Sequence, residues 1–375
     1  MFSGVHLSLL IGPAEPVPVS KDVLDALVSV KVISKATGTS GFELVFRISV
    51  QSPLQTLFLL GAGVSIPLVR VVVAVTVSGS TTVLIDGVMT DHRVAPDVKD
   101  GMTTLTITGE DLSRVMDYVD FSGLPYPAMP PELQVLTALS KYALFGVIPM
   151  VIPSVMLDVT IPTIQILRQQ GTDLEHIRRL AALVGYTFYL DPGPAIGTSV
   201  AYWGPPIRWG PVQPALGIDA DASSNVESLS FSFSNEDTSL PILVIQEPIT
   251  KAPIPIPIPD INPLSPPLGA VPPIPKHFPI IDGVAKLPPV RALLIGLAKN
   301  AQAADAVTAT GSLDVLRYGS VLAARKLVGV RGAGTAFDGL WYVTSVTHDL
   351  QRGQYRQQFT LGRNGMVSTL PSVAV

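Results

Sequence analysis

Histidines, carboxylates and tryptophans are the residues that carry most chemistry, and the sequence spaces them poorly for it. The five histidines are His6, His92, His176, His277 and His348. A zinc hydrolase needs two histidines one helical turn apart, and Glu175-His176 has no second histidine four residues away. Cysteine is absent, which excludes a disulfide framework and any thiolate nucleophile or metal ligand. There is no G-x-S-x-G elbow, and Gly38-Thr39-Ser40-Gly41 reads as a turn. Gly61-Ala62-Gly63 and Gly332-Ala333-Gly334 lack the third glycine of a dinucleotide loop, and no G-K-[ST] occurs. Asp91-His92 and His348-Asp349 are neighbours on strand-like segments, so each pair points to opposite faces and is no ready dyad. Asp111 with Asp117, or Glu227 with Glu236, have the residue types of a glycosidase pair, but capping or solvated roles suit them better. Trp203 and Trp209 flank Gly204-Pro205-Pro206, as a sugar-stacking platform or as packing at a proline-rich corner. No catalytic, cofactor-binding or metal-ligating residue is predicted, and no cofactor.

The elements that would position any site are strands at both ends and helices between them. Phe42, Leu44, Phe46, Ile48 and Val50 alternate with Glu43, Val45, Arg47, Ser49 and Gln51, the pattern of a half-buried strand. Leu68 to Val77 and Thr82 to Thr90 flank Ser78-Gly79-Ser80, which predicts a hairpin. Leu105 and Ile107 alternate with threonines, and Lys21 to Val28 suits one short helix. From about residue 110 the period lengthens: Leu112, Val115, Met116 and Val119 lie on one helical face. Pro130 and Pro131 open a second helix carrying Leu133, Leu136 and Leu139. Thr172-Asp173-Leu174-Glu175 has the form of a capping box, followed by an apolar stripe to Val184, with Gly185 as the stop. Tyr186 to Leu190 follows as a strand. Strand alternation returns at Leu229, Phe231 and Phe233, and Leu313 to Phe359 reads as strands again. Between them, Pro248 to Pro289 is proline-dense, and Pro253 to Pro259 alternates Pro with Ile, favouring an extended polyproline conformation. This stretch reads as a surface connector, or as an arm on a neighbouring subunit, since Ile254, Ile256, Ile258 and Ile261 are of a usually buried type. Pro289 to Ala304 suits a helix.

Composition narrows the class. Charged residues make up 14% of the 375 and hydrophobic residues 47%, where about 25% charge is usual. Disorder is excluded, and the surface of a lone soluble monomer would be short of charge. The most apolar window, Leu57 to Val77, is interrupted by Pro67 and Arg70, and Phe145 to Val155 by Pro149 and Pro153, so neither suits a membrane span. No Lys or Arg precedes Lys21, unlike a signal peptide, and synthesis and assembly in the cytoplasm are expected. The net charge of −4 carries no electrostatic footprint for nucleic acid. An assembly subunit that covers its surface with other chains fits these values.

Two stretches carry a resemblance. Tyr142-Ala143, Gly146-Val147-Ile148-Pro149, Gln169-Gln170-Gly171-Thr172-Asp173-Leu174-Glu175 and Gly185-Tyr186-Thr187-Phe188-Tyr189 resemble the central segment of the phage late-control D family, which includes hub proteins of contractile tails and the hub half of type VI secretion spike proteins. Asp338-Gly339-Leu340-Trp341-Tyr342-Val343, Val346-Thr347-His348, Gly353-Gln354-Tyr355 and Phe359-Thr360-Leu361 resemble the closing hairpin of that family's second barrel. Asn225 to Leu229 and Ile85 to Thr90 resemble further strands of the two barrels. The resemblance implies a mainly β chain with an α/β middle region (α+β). It would have a first tube-like β-barrel over 1–110, an α/β middle over 111–225, and a second barrel over 226–247 and 305–365. The proline-rich insertion and helix over 248–304 match nothing in the family pattern, and 366–375 is a tail. It further implies a homotrimer forming a pseudo-sixfold ring, in a phage tail or phage-derived particle. Its partners would be a separate spike protein, a tail-tube or tube-initiator protein and baseplate wedge proteins, with no nucleic acid and no membrane insertion. A tail-associated cell-wall hydrolase and a monomeric glycan-binding β module are the rival readings. Thr172, Glu175, Gly185, Gly339, Trp341 and Phe359 are expected to define the fold. Replacing Trp341 by Ala should cost about 3–5 kcal/mol if that ring is buried; an unchanged thermal midpoint would refute its placement in the core.

Overall fold

A computed structural model describes residues 4–49, 68–96, 102–154, 166–218, 224–234, 242–246, 252–257, 266–271 and 307–369, with isolated positions between 274 and 305. The chain is mainly β with a few short helices. Strand alternation sets its first half. In Gly41–Ser49, Phe42, Leu44, Phe46 and Ile48 are buried while the intervening side chains are not. The hairpin predicted at Ser78-Gly79 is present: Arg70–Val77 pairs with Ser80–Pro96, and the turn closes at Val77 opposite Ser80. Ser78 and Gly79 have φ of 50° and 81°, the two positive angles a tight two-residue hairpin turn demands. Val5–Gly12, Met102–Asp111 and Leu27–Lys35 complete this unit.

The second β-unit contains Ser228–Phe233, Val307–Asp314, Gln354–Arg363 and Gly339–Gln351, all antiparallel in that spatial order. Leu327–Arg331 joins it beside Gly339, with Val212–Gly217 parallel on its far side. The two units share one sheet. Leu27–Lys35 pairs antiparallel with Gly339–Gln351, from Ser29 opposite Gln351 to Lys35 opposite Ser345. One hydrophobic core follows from it, running from Val5 and Leu44 through Val346 to Phe359 and Leu361. Trp341 is fully buried there; its Nε1 donates to the Phe337 carbonyl at 2.9 Å, and the Arg363 guanidinium lies 4.5 Å from its ring centre. Gly339 has φ +117°, and a Cβ there would sit 2.3 Å from the Ser368 hydroxyl, so no other residue fits unaltered.

A second core fills the middle of the chain. Helices Pro131–Ser140 and Asp173–Val184 pack with a three-stranded sheet of Thr187–Pro192, Ser199–Gly204 and Val147–Val151. Val135, Leu139, Ile177 and Trp203 are fully buried between them. The capping box is formed as the sequence predicts: the Glu175 N–H donates to Thr172 Oγ1, and the Thr172 N–H donates to Glu175 Oε2 at 3.1 Å. Gly185 ends the helix with φ 73°.

Three expectations need correction. The face of Leu112, Val115, Met116 and Val119 forms only a 3-10 turn, Leu112–Asp117, started by Asp111 accepting from the Ser113 N–H. The stretch is too short for a full helix, and Val119 is 47% exposed. The strand run from Leu313 is broken by a four-residue helix, Val315–Tyr318, because Asp314 accepts from the N–H groups of Leu316 and Arg317. Pro253–Pro257 is no free polyproline segment, since it pairs antiparallel with Ile242–Gln246. Its isoleucines, opposite Ile245 and Leu243, keep the donors a ladder needs, while the prolines fall at the alternate positions. Ile258, Ile261 and, apart from Gly296, the predicted helix of Pro289 to Ala304 lie outside the described residues, as do Leu57 to Pro67.

The capping box gives a direct test. Thr172→Ala should lower stability by about 0.5–2 kcal/mol in chemical denaturation, by freeing the Glu175 N–H. The Asp117 carboxylate, which accepts from the Thr172 hydroxyl at 2.8 Å, loses a partner as well. A change below a few tenths of a kcal/mol would show that the box contributes nothing.

Candidate functional site

The polar residues singled out by type resolve into structural roles. His348 is buried; its Nδ1 meets the Tyr355 hydroxyl at 2.8 Å and Gln357 Nε2 at 3.1 Å, while Asp349 turns to the other face. His92 is half-buried and Asp91 exposed on the opposite face. His176 lies buried, stacked on Tyr126, with its ring nitrogens at Gln134 and Arg179. Asp111 caps a turn, and Asp117 holds Thr172 and Arg114. Glu227 pairs with Arg356 at 3.1 Å, and Glu236 lies outside the described residues. Trp203 and Trp209 do not form one platform. Trp203 is fully buried with its Nε1 directed to the Ile177 carbonyl, whereas Trp209 is 60% exposed. Among the described residues no group of three His, Cys, Asp or Glu could hold a metal ion. No helix among them is long and apolar enough to cross a membrane.

The conspicuous polar geometry is instead at the seam where the first β-unit, the middle region and the second β-unit meet. Arg70 and Asp86 lie diagonally across paired strands, Arg70 opposite Val88 and Asp86 opposite Val72, and make a bidentate ion pair with N–O distances of 2.7 and 2.6 Å. Both side chains are essentially out of solvent. The same guanidinium donates to the carbonyls of Ala14 and Gly197, so it ties the sheet to the turn before Ser199–Gly204. Burial pushes the Asp86 carboxyl above the usual carboxylate range, and the bonds from Arg70 pull it back. In the sequence Arg70 reads only as a break in an apolar window. Its partner sixteen residues on, across a hairpin turn, was the available signal. Beside the pair lies a cleft of about 110 Å³ touched by Asp111, Ser199, Arg325, Lys326 and His348. Arg325 bridges from the second unit to Asp191 at 2.9 Å and lies over the Tyr189 ring. These groups bind the three regions to one another.

The solvent face of the shared sheet is rich in hydroxyls. In the second unit Ser228 meets Ser312 at 2.9 Å and Ser230 meets Thr310 at 3.0 Å, and Thr347, Gln358 and Thr360 continue the surface. In the first, Thr104, Thr106 and Thr108 share a face with Glu43, Val45 and Arg47. Such a surface offers hydrogen bonds without concentrated charge, and carries no nucleophile–base pair.

No family model matches the sequence, and no curated protein does. Solved structures do. A tail protein from Neisseria meningitidis MC58 superposes over 97% of this chain and 98% of its own, with a TM-score of 0.62 at 14% identity. The fold is that of phage tail proteins. The 43 kDa tail protein of prophage MuSo2 from Shewanella oneidensis agrees, with a TM-score of 0.57 at 14% identity over 96% of this chain and 98% of that one. The VgrG-containing PdpA–VgrG complex of Francisella gives 0.62 at 9% identity, covering all of this chain and 55% of the other. At these identities the likeness is one of fold. The E. coli c3393 protein, a type VI secretion component described as similar to the T4 tail proteins gp27 and gp5, gives 0.51 at 11% identity over 92% and 76%.

The buried histidine sets a pH dependence. Desolvation lowers the His348 pKa to about 3, against about 6.5 in an unfolded chain. Between those values the unfolded chain binds the proton and the folded one does not, so stability falls as pH drops through that window. His176, lowered to about 4 by burial and then by Arg179, adds to the same slope. The urea midpoint should therefore fall from pH 7 to pH 5, and His348→Gln should flatten that dependence. An unaltered slope in the variant would refute the assignment.

Proposed function

We propose that the chain is a structural hub in the baseplate of a contractile injection particle, a phage tail or a phage-derived device. The observation that carries the reading is the superposition of nearly the whole chain, both β-units and the middle region together, on whole tail proteins. On this reading each β-unit is one tube-like barrel, and three chains place six of them in a ring. A trimer with pseudo-sixfold character can join a sixfold tail tube to a threefold spike. Its partners are further copies of itself, a tube or tube-initiator protein, a spike and baseplate wedge proteins. The work it does is mechanical: it starts the tube, holds the spike and anchors the wedges, without substrate or cofactor. The 14% charged fraction supports this, because large subunit contacts remove surface that a free monomer would have to solvate. So does the assignment of the buried polar residues to internal ties.

Light scattering coupled to size exclusion tests the reading. The expected species has three times the 39.7 kDa chain mass and binds a tail-tube protein in pull-down. A species that stays at 39.7 kDa at high concentration and retains no tube protein would overturn it.

A further inference from the structure

The cleft at the seam has a wall from each region: Ser40, Asp86 and Asp111 from the first unit, Asp191 from the middle, and His348 with residues 321–326 from the second. Loop 319–326, between Val315–Tyr318 and Leu327–Arg331, is held down by two glutamines. Gln357, fully buried and opposite His348 on the neighbouring strand, accepts from the Leu322 N–H at 3.0 Å and donates to the Leu322 carbonyl at 2.8 Å. Gln213 grips Ala323 in the same two-bond way, at 2.8 and 3.0 Å. Just past these clamps Arg325 reaches across the seam. Its guanidinium donates to the Asp191 carboxylate at 2.9 Å and the Leu190 carbonyl at 3.3 Å, and lies over the Tyr189 ring. All three partners belong to Thr187–Pro192, so the loop ties the second unit to the middle region.

We infer that loop 319–326 is a latch on the middle region, and that a proton taken up by His348 releases it. The latch belongs to a single chain and does not rest on the hub reading. Its clamp fixes the tautomer of the ring. Gln357 Oε1 is taken by the Leu322 N–H, so the group that meets His348 Nδ1 at 3.1 Å is an N–H donor; the Tyr355 hydroxyl is the other partner, at 2.8 Å. Nδ1 is therefore an acceptor, and Nε2 carries the proton. A second proton must go on Nδ1, where it would face the Gln357 N–H. Turning the amide over gives His348 an acceptor but sets the NH2 group against the Leu322 N–H, so the clamp on Leu322 is lost. The loop then keeps one anchor of two, and Arg325 loses its fixed approach to Asp191. An opened cleft admits water to the ring and stabilises the added proton, whereas in the closed state burial holds the His348 pKa down at about 3. The charged groups at the cleft are Asp86, Asp111, Asp191, Arg325 and Lys326, with Tyr355 beside the ring on its own sheet. Burial raises the Asp86 and Asp111 carboxyls, so these take protons in the closed state and oppose release. Burial also raises Tyr355, which stays neutral.

Hydrogen exchange of the intact chain, read by mass spectrometry at pH 7 and pH 5 with intrinsic rates corrected, tests the latch. With the ring of the open state at the ordinary histidine value, opening should rise about 25-fold over that interval. Segments 187–192 and 320–326 should lose protection together at pH 5, while 41–49 and 173–184 keep theirs. His348→Gln should abolish that response. Asp191→Asn, at a side chain 55% exposed, should loosen 187–192 already at pH 7. Equal loss in all four segments would mean global unfolding alone and would overturn the inference. Unchanged protection of the two latch segments at pH 5 would overturn it as well, as would a pH response that survives in His348→Gln. If His348→Gln does not fold, the wild type and Asp191→Asn still decide, because protection of 187–192 that is unaltered in Asp191→Asn refutes the tie through Arg325.

Discussion

The backbone ladder between Leu27–Lys35 and Gly339–Gln351 is the constraint on which the architecture rests. It joins segments from opposite ends of the chain. Without it each β-unit would present one more row of unpaired N–H and C=O groups, which a protein interior does not tolerate and a surface must blunt. With it, Val30, Val32, Val346 and Leu350 lie in one continuous core. Period-two alternation then fixes every other face: a slip of one residue at this joint would turn the apolar set of either unit toward solvent.

The middle region is held to that sheet by charge. Burying Arg70 and Asp86 is costly, and the cost is offset because the pair is bidentate and the remaining guanidinium donors find carbonyls at Ala14 and Gly197. Removing either partner alone would strand a buried charge, so the pair enforces one arrangement of hairpin and turn. Asp173 has the same character within the middle region, accepting from Lys141, Tyr142 and Gln169. A directional network of this kind resists shear that apolar contacts alone would permit.

The two faces of the shared sheet contrast. One is packed with Val, Leu, Ile and Phe; the other carries Ser and Thr that hydrogen-bond across strands. Hydroxyl pairs let the outer face hydrogen-bond to water with few charged side chains.

The sequence by itself determined the local elements. Alternation located Gly41–Ser49, two residues with positive φ closed the hairpin at Ser78-Gly79, and Thr172 with Glu175 placed the helix start. These signals are short-range and depend on residue type and spacing alone. Residue order also carried the resemblance to tail hubs, which the fold bears out. It did not show that the Leu112 face stops after a short 3-10 helix, or that the Pro-Ile repeat pairs as a strand; each depends on what lies beside it in space. Nor could it join Lys35 to Ser345, set Arg70 against Asp86 beneath the Gly197 turn, or separate Trp203 from Trp209. Only the tertiary structure decided these, since burial and pairing between residues far apart in sequence leave no period for the eye to find.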